Sequence, residues 1–229
     1  MDQGAYKRAG GGTGAGRRAA ASGRSSRPRS PWQPARERAR QREVKRDAVI
    51  LAAARIFKER GYHNTTLDDI AAHLNVTKPT LYYYLDNKEQ IIYECFRVGI
   101  GRIRAGLAEL EADSACGRDK LEALVHRYAE VMASDFGWCM VRVEEQDLGP
   151  SMGRRIKQLK SQIDQGIRRL VRAGIEDGSI RDCDPKMTSF ALAGALNWIG
   201  YWYRSGAALT PAQIADRFVD LFDHGLRPR

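Results

Sequence analysis

Residues 65–89 read TTLDDIAAHLNVTKPTLYYYLDNKE, two short amphipathic segments on either side of a turn. Thr66 stands three residues before Asp69, so its hydroxyl can cap a helix whose first turn is acidic. Leu67, Ile70, Ala71 and Leu74 recur at i, i+3, i+4 and i+7, one apolar stripe along about two turns. Asn75 follows, a residue type that tolerates the left-handed backbone of a sharp turn. Thr77 can cap a second helix, and Pro79 falls within that helix's first turn, where a missing N–H costs little. This pattern predicts a helix-turn-helix, and with it contact with DNA. Upstream, Val49, Ala52, Ala53, Ile56 and Phe57 repeat at helical spacing. Lys58, Arg60 and Gly61 then close that helix with basic charge and a C-terminal glycine. Three helices with facing stripes can share a small core.

Residues 50–92, ILAAARIFKERGYHNTTLDDIAAHLNVTKPTLYYYLDNKEQII, resemble the TetR family of bacterial transcriptional regulators. The resemblance runs in order through an apolar helix, Gly-Tyr, Thr-Thr, Ile-Ala, Val-Thr-Lys, Leu-Tyr-Tyr-Tyr and Asn-Lys-Glu. Two positions depart from the commoner pattern: Asn75 stands where glycine is frequent and Leu85 where phenylalanine is frequent. The resemblance implies an all-α chain, with an N-terminal three-helix DNA-binding domain and a C-terminal helical domain for ligand binding and dimerisation. The expected division is a disordered basic arm over 1–45, the helix-turn-helix domain over 46–92 and the effector-binding and dimerisation domain over 93–229.

Charge sharpens that division. The chain of 229 residues carries a net charge of +10, and residues 1–46 alone hold 13 Lys/Arg against three acids. The remainder is therefore balanced, and residues 47–95 are slightly acidic. A basic arm rich in Gly, Ala, Ser and Arg has too little apolar surface to fold alone. It can add phosphate contacts or reach a minor groove, or it can be no more than a solubilising extension. No apolar stretch of a secretory signal is present, so a cytoplasmic protein with no membrane partner is expected.

Cys95, Cys116, Cys139 and Cys183 lack CxxC spacing, which points to reduced packing thiols; Cys139, between Trp138 and Met140, is also open to a redox reading. The four histidines show no metal-ligand spacing, and no nucleophile–base pair or phosphate loop stands out. The expectation is a non-enzyme without metal or cofactor.

Beyond Asn87, Ile92, Phe96, Ile100, Ile103, Leu107 and Leu110 stripe a helix that leaves the DNA-binding head and enters the second domain. Leu121, Leu124, Val125, Tyr128 and Met132 stripe the next, and Ile156, Leu159, Ile163, Ile167 and Leu170 another. Asp184-Pro185 and Thr210-Pro211 open the last two, with Gln213 completing a capping box. Residues 187–202, MTSFALAGALNWIGYW, are the most apolar run, too short and polar for a membrane span. Their helix and the last one, with Ile214, Phe218, Leu221 and Phe222, either close the monomer's core or, as the resemblance implies, pair with a second copy in a four-helix bundle.

Lys78, the one cation of the second helix, can reach a guanine edge or a phosphate. Thr77, Thr80 and Tyr82 offer hydroxyls and an aromatic body to the same surface, while Leu81 and Tyr84 fall on the inward face. By resemblance, Thr66, Tyr83 and Lys88 fall where the DNA backbone is held; packing is the alternative for the tyrosines. For the effector, Phe96, Ile100, Ile103, Tyr128, Trp138, Met140 and Tyr201 are apolar or aromatic candidates, each equally open to being core, and Arg142, Asn197 and Glu145 are polar ones. Arg154, Arg155, Lys157 and Lys160 suit an acyl-CoA phosphate or merely a solvated face. The function implied is a homodimeric regulator, in the sense of a repressor, that binds palindromic operator DNA and is released by a small hydrophobic effector such as an acyl-CoA or fatty-acid-like molecule. The competing reading is a non-sensing DNA-architectural protein dominated by its basic arm.

Overall fold

The computed structural model describes residues 35–144 and 147–224, which form nine helices and no strand. They are α1 (Ala35–Arg60), α2 (Leu67–His73), α3 (Lys78–Tyr82), α4 (Lys88–Ala112), α5 (Gly117–Ala133), α6 (Asp135–Arg142), α7 (Pro150–Glu176), α8 (Pro185–Trp202) and α9 (Pro211–His224). The local signals act as the sequence predicts at most of these ends. Thr66 accepts from the Asp69 N–H at 3.2 Å while its own N–H donates to the Asp69 carboxylate at 2.8 Å, a closed capping box. Asn75 adopts φ 53° and Gly61 φ 87°, so the turn and the end of α1 both use left-handed backbone. Asn87 caps α4 through Gln90 N–H at 2.7 Å, and Thr210 and Gln213 close a second box before α9.

Two local expectations are corrected. Residues 35–45, assigned to a disordered arm, are the first turns of α1; they lack Gly and Pro and consist mostly of strong helix formers, Ala, Arg, Glu and Gln. The rest of the arm, 1–34, lies outside the described residues. Thr77 occupies the N-cap of α3 but makes no side-chain cap bond. Pro79 removes one receptive N–H, and that of Thr80 goes to the Thr77 carbonyl at 2.9 Å. The Thr77 hydroxyl instead meets the Thr80 hydroxyl at 2.9 Å.

The head's core is Val49, Ile50, Ala53, Phe57, Ile70, Leu81 and Leu85, and it runs without a break into the core of the second domain along α4. Every stripe residue of α4 is buried. The expected boundary at 92/93 falls inside that helix, so head and body share one rigid element. In the body, α5 and α7 approach closely: a Cβ on Gly117 would lie 2.2 Å from the Gly174 nitrogen, so Gly117 has no room for a side chain. Gly117 N–H also donates to Asp177 at 2.7 Å, tying the start of α5 to the end of α7.

Candidate functional site

The helix-turn-helix presents its side chains as two sets. Leu81 is fully buried and Tyr84 half-buried, so they anchor α3, whereas Tyr82 and Tyr83 stand 49% and 61% exposed beside the exposed Thr77 and Thr80. Five residues cannot hold a helix in water alone, so that anchoring is what orients the outward set. Lys78 extends to Asp68 on α2 at 2.9 Å, and this exposed pair raises the lysine's pKa through the hydrogen bond and the neighbouring charge. Thr66 caps α2 with its hydroxyl, at the outer edge of the head.

Lys88, expected at the DNA backbone, has its side chain engaged within the head. Its ammonium is turned inward, donating to the carbonyls of Tyr62 at 2.9 Å and Thr65 at 3.0 Å, and it lies 4.4 Å from the centre of the Tyr62 ring. Desolvation lowers its pKa. Two carbonyls of the α1–α2 connection recruit the nearest flexible cation, so Lys88 ties that connection to the start of α4. A contact that the sequence does not reveal lies at the other end of α3. Arg42, on the first turns of α1, donates to the Tyr83 carbonyl at 3.3 Å and lies over the Tyr83 ring at 4.8 Å.

The second domain holds a cavity of about 590 Å³ between α5, α6, α7 and α8. Five of the sequence's candidates meet in its wall: Tyr128, Met140, Lys160, Asn197 and Tyr201. Tyr128 donates to the Asn197 carbonyl oxygen at 2.9 Å, and its burial pushes the phenol's pKa well up, so it stays a neutral donor. Tyr201 donates to the Val141 carbonyl at 2.6 Å. Ile163, Asp164, Phe190 and Ala193 complete much of the wall. Of these, Phe190 and Ala193 fall on the same α8 face as Asn197 and Tyr201, a spacing visible in the sequence. Asp164 is held by Arg168 at 2.6 Å and by the buried Ser189 at 2.8 Å.

The remaining candidates do not line this cavity. Phe96, Ile100 and Ile103 are fully buried core of α4. Trp138 is half-buried against the core, and Arg142 is exposed, stacked over Tyr201 at 4.7 Å. Apolar helix residues are read identically from sequence whether they face a void or a neighbour, which is why these were not separable. Glu145 lies outside the described residues. Cys139 and Cys95 are both fully buried, and burial raises the thiol pKa of Cys95.

Cavity and head are joined by the segment after α6. Val143 and Glu144 line the cavity; further along the segment, Asp147 stands 3.3 Å from His63 in the head, and Gly149 N–H bonds the Glu89 carboxylate on the first turn of α4. On the other side of the junction, Lys58 and Arg55 of α1 both reach Asp135 at the start of α6, at 3.0 and 3.4 Å.

An apolar face remains uncovered on α8 and α9. Met187, Phe190, Trp198 and Trp202 on one helix and Leu221 and Phe222 on the other are all exposed. Gly194 lies within the α8 strip with nothing within 4 Å of where its Cβ would stand, which leaves the backbone open to close approach. No helix among the described residues is long and apolar enough to cross a membrane.

Comparison with known proteins places these features. The family model for bacterial regulatory proteins of the tetR family matches residues 49–95, and the model for the tetracyclin repressor-like C-terminal domain matches residues 114–226. The HTH-type transcriptional repressor KstR2 of Rhodococcus jostii (strain RHA1) is 28% identical over 188 residues, covering 80% of this chain and 91% of the relative. The fatty acid metabolism regulator protein of Bacillus subtilis (strain 168) is 24% identical over 144 residues, 62% of this chain and 74% of the relative. Among solved structures, AibR in complex with isovaleryl coenzyme A and operator DNA superposes with a TM-score of 0.68 at 26% identity, over 77% of this chain and 96% of that one.

Proposed function

Because the chain belongs to the TetR family of bacterial regulatory proteins, we propose that it is a homodimeric transcriptional repressor which releases its operator when a small hydrophobic effector fills the second domain. The effector class we assign is an acyl-CoA or fatty-acid-like molecule. The observation that carries this reading is the cavity itself. At about 590 Å³ it has the size of a small-molecule site. Half of its wall is apolar, from Met140, Val141, Val143, Ile163, Phe190 and Ala193, and its polar positions are the Tyr128–Asn197 pair, Tyr201, the Lys160 cation and the carboxylates of Glu144 and Asp164. The fatty acid regulator and the coenzyme A thioester complex among the relatives support the same class.

Operator contact falls to Thr77, Lys78, Thr80, Tyr82 and Tyr83, with Thr66 at the backbone and Lys88 acting by holding the head together. The uncovered apolar face of α8 and α9 pairs two copies, and a two-fold protein matches a palindromic site. The link from cavity to head is differential binding. An effector that displaces Val143 or Glu144 pulls on the segment that carries the Asp147–His63 and Gly149–Glu89 contacts, and so tilts α4 with the head attached. Two reading helices must sit about one DNA turn, roughly 34 Å, apart, so a small tilt breaks the match. By linkage, operator then weakens effector binding by the same factor.

The test is operator affinity across a series of acyl-CoA thioesters and free fatty acids, read by fluorescence anisotropy beside thermal stabilisation. At least one should stabilise the protein and weaken operator binding about tenfold or more, a coupling of roughly 1–3 kcal/mol. If ligands that stabilise the protein leave operator affinity unchanged, the sensing reading is wrong. The architectural alternative would show near-equal binding to operator and random duplex.

A further inference from the structure

We propose that the first turns of α1, residues 35–46, form a second DNA-contacting surface: a basic helical stub lying against the phosphates that flank the half-site read by α3. This rests on the head being the operator-binding end of the molecule, and it concerns a part of the chain outside the helix-turn-helix.

The stub has no packing role that explains its charge. From Arg36 to Lys45 every side chain is exposed. Burial begins only at Arg46, which pairs with the buried Glu94 at 2.7 Å and fixes the root of the helix. Over this stretch Arg36, Arg38, Arg40, Arg42, Lys45 and Arg46 face only Glu37 and Glu43. Among the described residues none of Arg36, Arg38, Arg40 and Lys45 pairs with a carboxylate, whereas both lysines of the helix-turn-helix window are engaged, Lys78 with Asp68 and Lys88 with two carbonyls. The head proper is slightly acidic. The phosphate attraction missing from the reading helix therefore sits on the stub.

Its placement follows from the Arg42 contacts. That residue is stacked on Tyr83, the exposed C-cap of α3, so α1 passes the end of the reading helix rather than diverging from it. Ala35 is seven residues further out, and at about 1.5 Å per residue the stub runs roughly 10 Å beyond Tyr83. The cations at 36, 38, 40 and 42 are two residues apart, about 200° of helical turn, so they alternate between opposite sides. Val44 is the one large apolar side chain present. A helix charged on both sides and lacking an apolar face suits a path between phosphate strands, not the surface of a bilayer.

The experiment uses the full chain carrying Arg36→Gln, Arg38→Gln and Arg40→Gln together, compared with wild type on operator and on random duplex over a range of salt. At two phosphates per protomer and roughly 0.9 per phosphate, the slope of log K against log salt should fall by about four for a dimer. The affinity loss should be similar on operator and random DNA, and the protected footprint should shorten at both outer edges. A fall of less than two, with an unchanged footprint, overturns the proposal. Circular dichroism checks that the helix persists; should it fray, Arg38→Lys and Arg40→Lys in the same chain must keep the wild-type slope. If wild type itself fails to prefer any operator, the regulator reading falls, while the stub's slope remains measurable on random duplex.

Discussion

Trp198→Ala is the substitution that bears most directly on the proposed two-fold assembly. Trp198 is 62% exposed on the outer face of α8, flanked by Gly194 and Trp202. A tryptophan offers at most about 250 Å², so on the order of 150 Å² of it faces solvent in the lone chain. At about 25 cal/mol per Å² that area is worth roughly 4 kcal/mol if a partner covers it fully. Truncations at interface hot spots run about 2–4 kcal/mol, consistent with that ceiling. A two-fold interface uses the residue twice, so the dimer should weaken by about 4–8 kcal/mol, on the order of 10³- to 10⁶-fold in its dissociation constant. Sedimentation equilibrium across the micromolar range reads this directly. Trp198 also stacks on Tyr201 at 5.0 Å, so part of any loss belongs to the monomer. Thermal unfolding measured where both proteins are monomeric separates that part. Operator binding should become steeply concentration-dependent while half-site binding survives. A dissociation constant within tenfold of wild type would show that α8 closes nothing but its own monomer.

The other predictions concern the head and the cavity. Lys78→Ala should leave the melting temperature nearly unchanged, since an exposed ion pair contributes little; it should cut operator affinity about tenfold or more and relax specificity at one base pair if the lysine reads a guanine edge. Equal loss on random duplex would move the lysine to a phosphate. Lys88→Gln should do the reverse: the two carbonyls it holds lose their donors at a cost of about 1–3 kcal/mol, so the head melts earlier while the salt slope of DNA binding stays unchanged. A slope that falls with stability intact would return Lys88 to the DNA backbone. Tyr128→Phe strips the donor from Asn197 and should lower stability by about 1–2 kcal/mol while weakening the effector; an unaltered ligand affinity would take the pair out of the binding site.

The Asp69 carboxyl is held below its ordinary pKa of 3.8, first by the Thr66 hydroxyl and then by the Thr66 N–H. Its capping contribution is thus fully present above the unfolded value and is lost as pH falls through the lower folded value. NMR titration should place the Asp69 midpoint below pH 3.8, and Thr66→Val should shift it upward; no shift would remove the capping box as its cause.

Much of the fold is legible because helices declare themselves locally. Caps at Thr66, Asn87, Asp184 and Thr210, the left-handed Asn75 and the stripe of α4 each depend on residues within a few positions of one another, where backbone geometry dictates neighbours. The inward Leu81 and outward Tyr82 and Tyr83 follow from the same periodicity. In the first turns of α1, charge density and a Gly-rich neighbour suggest disorder. Helix propensity and the Arg46–Glu94 anchor, a contact 48 positions long-range, prevail instead.

By itself, then, the sequence determined the all-helical architecture, the reading motif and the family, since these rest on short-range patterns and residue order. Only the tertiary structure decided which apolar residues border a void and which fill the core: Tyr128 and Asn197 face the cavity, whereas Phe96 and Ile100 pack in α4. It also turned Lys88 inward onto the Tyr62 and Thr65 carbonyls and brought Arg42 onto Tyr83. A cavity is space left between four helices, and a long side chain chooses among all acceptors within reach. Both are properties of how elements meet, which no local pattern encodes.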